Sequence, residues 1–97
     1  MKELILVFAL QFSQEFNKPI DHIEYRTGNI DHFAVVSKKN DGFEIVIDKD
    51  LRDLNHERLK TLVYHVTGKA VGMELSEEND FMNPKKVIKP YRKFKHQ

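Results

Sequence analysis

The sequence predicts a small α+β domain, and three observations predict it. An apolar run at helical spacing opens the chain. A segment of period-two alternation follows, with an Asp-Gly turn inside it. A second amphipathic helix comes after that. With 97 residues there is room for one domain and a modest core. The apolar share of 40% separates the chain from disordered sequences.

Residues 2–17 read as the first helix. Leu4, Val7, Phe8, Phe12 and Phe16 recur near helical spacing, and Ile5 and Leu6 widen the apolar face. Pro19 prevents continuation, because the residue before a proline is pushed out of the helical region. His22 to Arg26 reads as a short strand closed by the turn Thr27-Gly28-Asn29, and His32 to Lys38 as a second. Asn40-Asp41-Gly42 then signals a hairpin into a third strand, where Phe43, Ile45 and Ile47 alternate with Glu44, Val46 and Asp48. The expected sheet has about three strands and is antiparallel. Helix 55–71 starts at the N-cap Asn55, with Glu57 in its first turn, and ends near Gly72. Its stripe is Leu59, Leu62, Val63, Val66, Ala70 and Met73. This stripe is expected to meet Val35, Ile45, Ile47 and the first helix.

Net charge is +1, but it is unevenly spread. Glu74, Glu77, Glu78 and Asp80 make an acidic loop. Lys85, Lys86, Lys89, Arg92, Lys93 and Lys95 make a basic tail with no acid in it. The expected division is a domain over residues 1–84 and a tail over 85–97. The tail's cations interleave with Tyr91 and Phe94. Three readings stay open for it: solvated charge, a phosphate-backbone contact, or a protein-binding surface. No cysteine is present, which excludes disulfides, Cys–zinc sites and thiol nucleophiles, and suits a reducing cytoplasm. The run Leu4 to Leu10 is too short to span a membrane, and its flanks do not suit a signal peptide. His22, His32, His56, His65 and His96 follow no metal-ligand spacing, and no phosphate-binding glycine loop is present.

The stretch Leu62 to Pro84, LVYHVTGKAVGMELSEENDFMNP, resembles the zinc helix and Met-turn of metzincin peptidases, in particular matrixin-like and short phage-type ones. Against the pattern H-E-x-x-H-x-x-G-x-x-H, His65 matches the first ligand and Gly72 the glycine. Val66 stands at the glutamate, Lys69 at the second histidine and Leu75 at the third. Met82 and Pro84 stand at the Met-turn. The strand Glu44-Ile45-Val46-Ile47-Asp48 precedes the helix as in short family members. The resemblance implies a minimal metzincin-like fold without its catalysis. Val66 accepts no proton, Lys69 offers an ammonium in place of an imidazole, and Leu75 offers no ligand atom. It implies no catalytic residue, no metal and no cofactor. The expected function is a pseudo-metallopeptidase that binds or inhibits a protein, such as a phage-encoded host-interaction factor. The alternatives are a nucleic-acid-binding protein using residues 85–97 and a metallopeptidase with non-standard zinc ligands. Lys69, one turn from His65, is expected to be solvated, with a pairing to Glu74 or Glu77 as the alternative.

Overall fold

The computed structural model describes residues 2–49, 55–74 and Met82. The chain runs α1 (Lys2–Phe16), β1 (Ile23–Gly28), β2 (Ala34–Lys39), β3 (Gly42–Asp48) and α2 (His56–Ala70). The α+β class and the three strands are as the sequence predicts.

The pairing of the strands is not. The order is β1-β3-β2, and β3 runs antiparallel to β2 but parallel to β1. The sheet is therefore mixed. The tight turn fixes β2 beside β3, as Asp41-Gly42 signals. Strand β3 then enters between its two predecessors. Gly42 is required where it does so, because a β-carbon there would collide with the His22 carbonyl oxygen, which accepts the Phe43 N–H at 3.0 Å. Strand β1 also runs on through Thr27 and Gly28 rather than turning there.

Both helices pack on one face of the sheet, α1 on β1 and α2 on β2 and β3. The core joins Ile23 and Tyr25 of β1 to Ile45 and Ile47 of β3 beneath Leu59, Leu62, Val63 and Val66 of α2. Each fully buried aliphatic side chain here is worth about 1.5–3 kcal/mol. In the register of β2, Ala34 faces Ile47 and Val36 faces Ile45, so these two lie under the helices. Val35 pairs with Val46 and belongs to the opposite face, contrary to the sequence expectation. Three consecutive apolar residues, Ala34-Val35-Val36, leave the phase of the alternation open, and pairing with β3 decides it.

The seven-residue apolar run of α1 leaves its phase equally open. The buried stripe is Ile5, Phe8, Ala9 and Phe12, while Val7 and Leu6, which the sequence reading places on the apolar face, are exposed. The helix stops before Pro19 is reached. Asn17 takes a left-handed φ of 52°, Lys18 N–H donates to Ser13 C=O at 3.2 Å, and Ser13 Oγ donates to Lys18 C=O at 2.6 Å.

A candidate functional site on the central helix

Helix α2 begins as its sequence signals. The Asn55 side chain accepts the Arg58 N–H at 2.8 Å, and Gly72 just past the end takes φ +87°. Between these ends the helix is enclosed more fully than an amphipathic stripe requires. All seven residues from Leu62 to Gly68 are buried. Seven consecutive residues cover two turns, so every side of the helix is covered there.

Each side has its own cover. Tyr64 meets α1, with its ring 5.3 Å from Phe12 in an edge-to-face arrangement and 6.2 Å from Phe16. Lys60 Nζ sits 5.4 Å above the same ring. Burial pushes the Tyr64 hydroxyl up to about 12, and the hydrogen bond and charge of Glu15 push in the same direction. Thr67 reaches β1, where its Oγ1 lies 2.9 Å from the Tyr25 hydroxyl. Burial raises the Tyr25 hydroxyl, and the bond to Thr67 partly offsets the rise. Gly68 meets Met82, which is fully buried. A β-carbon on Gly68 would come within 2.6 Å of the Met82 sulfur.

The positions singled out by the metzincin resemblance separate on this helix. His65 is 3% exposed and Val66 is 4% exposed, within the core. Lys69, one turn beyond His65, is exposed, and so is Glu74. Among the described residues the ion pairs involve Arg26, Lys39, Glu24 and Glu44, so Lys69 forms none with Glu74 and stands solvated, as the sequence reading favours. A long cationic side chain at the rim of a buried helix face reaches water more cheaply than it orders a surface ion pair. Glu77, Leu75, Pro84 and the cationic positions from 85 to 95 lie outside the described residues. Among the described residues, no three His, Asp or Glu side chains gather as metal ligands do, and no helix is long and apolar enough to cross a membrane.

The outer face of the sheet carries the charge that sequence reading did not single out. Glu44 Oε2 takes Lys39 Nζ at 2.8 Å and Arg26 at 3.2 Å, while Lys39 lies 4.0 Å from Glu24. The bonds from Lys39 and then Arg26 hold the Glu44 carboxyl below its ordinary value, and Glu44 raises Lys39 in turn. Alternation within β3 implied one polar face, but its pairing with both β1 and β2 was needed to bring these four together.

Compared with known proteins, the chain matches no family model, no curated protein and no solved structure.

Proposed function

We propose that this chain is a catalytically inactive relative of the metzincin-type zinc peptidases that works by binding another protein. The observation that carries the reading is the contact of Met82 with Gly68. A buried methionine lies against the helix one turn after His65, in the region where such a peptidase keeps its Met-turn. The left-handed Gly72 seven residues after His65 supports it too, because the family motif turns the chain at that glycine. Inactivity rests on residue chemistry. Val66 sits in the core where the family has its proton acceptor, and the ammonium of Lys69 replaces an imidazole. Binding then falls to surfaces that need no metal, among them the cationic segment 85–95, and a cytoplasmic host-interaction or inhibitory role fits such a domain.

The test restores the two missing histidines by Lys69→His and Leu75→His and leaves Val66 in place, so the core is undisturbed. Metal analysis is expected to find no zinc on the natural chain and stoichiometric zinc on the restored one. A folded variant that binds no zinc would refute the scaffold relationship. Stoichiometric zinc together with peptide hydrolysis by the natural chain would refute inactivity and favour non-standard ligands. Retention of nucleic acid with a steep salt dependence, lost on deleting residues 85–97, would replace protein binding with the nucleic-acid reading.

A further inference from the structure

The two edges of the sheet differ in a way that selects a partner. We propose that two copies of this chain associate edge to edge through β1, antiparallel, about a two-fold axis at Tyr25.

The backbone supplies the first part of the argument. The β1–β3 ladder is entered by Phe43 N–H on His22 C=O and left by Lys49 N–H on Gly28 C=O, both at 3.0 Å. In a regular parallel ladder this directs the peptide groups of residues 24, 26 and 28 toward β3. Those of Tyr25 and Thr27 then point outward, where β1 has no neighbouring strand among the described residues. An antiparallel copy centred on Tyr25 places Tyr25 opposite its own symmetry mate as a hydrogen-bonded pair. Thr27 N–H is then aimed at the Ile23 carbonyl of the other copy.

The side chains supply the second part. In that register Glu24 falls opposite Arg26 of the second copy, and Arg26 opposite its Glu24. These are non-hydrogen-bonded pairs, in which facing side chains come closest. Both stand on the outer face, with 62% of the Glu24 side chain and 57% of the Arg26 side chain exposed. Arg26 spends one nitrogen on Glu44 and keeps further donors for a second carboxylate. The short segment Ile23-Glu24-Tyr25-Arg26-Thr27 is thus its own complement when reversed. Strand β2 is not: it carries Lys38 and Lys39 and no acid, a composition that discourages edge pairing.

The helix layer supplies the third part. Helix α1 covers β1, the edge in question, while α2 covers the other two strands. The face of α1 turned away from its buried stripe carries Leu6, Val7 and Leu10, exposed by 42, 46 and 57%. A two-fold axis perpendicular to the sheet puts both α1 helices on the same side of the joined sheet. The apolar trio thus stands on the helix that packs over the complementary edge, and a second copy brings two such helices to the same side.

The experiment is sedimentation equilibrium of the full chain over a wide concentration series, with far-UV circular dichroism confirming the fold. The natural chain is expected to dimerise reversibly. Glu24→Arg and Arg26→Glu, each setting like charges opposite one another twice, should weaken the dimer by about tenfold or more. The double variant Glu24→Arg with Arg26→Glu should regain it. Should a single variant lose its fold, the double variant carries the test. A natural chain that stays monomeric at the highest concentration overturns the proposal. So does a dimer indifferent to the single reversals, or a folded double variant that stays monomeric.

Discussion

Gly68 and Met82 fit each other: the hydrogen at Gly68 leaves the space that the buried methionine sulfur fills, and a methyl group would enter it at 2.6 Å. An exposed helical glycine changed to alanine gains about 1 kcal/mol from helix propensity. Here overpacking opposes that gain, and for a buried site it costs about 1–3 kcal/mol. Gly68→Ala is therefore expected to lower stability in urea unfolding. Combined with Met82→Ala, the same change should become neutral or favourable. Additive effects in that double-mutant cycle would show that the contact contributes nothing.

The core of α2 makes a second prediction. Leu62 is 2% exposed, so Leu62→Ala should cost about 2–5 kcal/mol through lost burial and a cavity. Asn55→Ala removes the cap on Arg58 N–H and should cost about 1 kcal/mol. Thermal melts of the two variants should separate them clearly, and comparable losses would contradict the packing described for α2.

The Tyr25–Thr67 hydrogen bond joins β1 to α2 inside the molecule. Tyr25→Phe strands the Thr67 hydroxyl and should cost about 1–3 kcal/mol. Thr67→Val strands the Tyr25 hydroxyl with a similar cost. The pair removed together should cost less than the sum, because no polar group is then left unsatisfied. Equilibrium unfolding of the two single variants and the double variant measures this directly.

Alkaline pH should unfold the protein partly through Tyr64. Its hydroxyl stands at about 12 when folded and at about 10 in an unfolded chain. A raised folded value means that the neutral form is favoured in the native state. Its contribution to stability is whole below about pH 10 and is lost as pH rises through about 12. Tyr25 shifts in the same direction. Melting temperatures between pH 9 and 12 should fall less steeply for Tyr64→Phe than for the natural chain. An unchanged slope would remove Tyr64 from the alkaline transition.

Much of this molecule was legible from local chemistry. The Asn55 cap, the left-handed Gly72, the Asp41-Gly42 turn and the alternation from Phe43 to Asp48 each depend on a few neighbouring residues. Sequence alone therefore determined two helices, three short strands and most of their bounds. It also determined that Val66, Lys69 and Leu75 offer neither a carboxylate nor an imidazole, since that follows from residue type. Only the tertiary structure decided which strands are neighbours. Parallel pairing of β1 with β3 joins residues about twenty apart, and no local signal encodes it. The phases of Leu4–Leu10 and Ala34–Val36 were equally undetermined, because an unbroken apolar run fits several faces and only its packing partners choose one. The covering of Gly68 by Met82 and the gathering of Glu24, Arg26, Lys39 and Glu44 on one face arose the same way. They depend on where distant segments come to rest, and that is settled by the burial of the whole core at once.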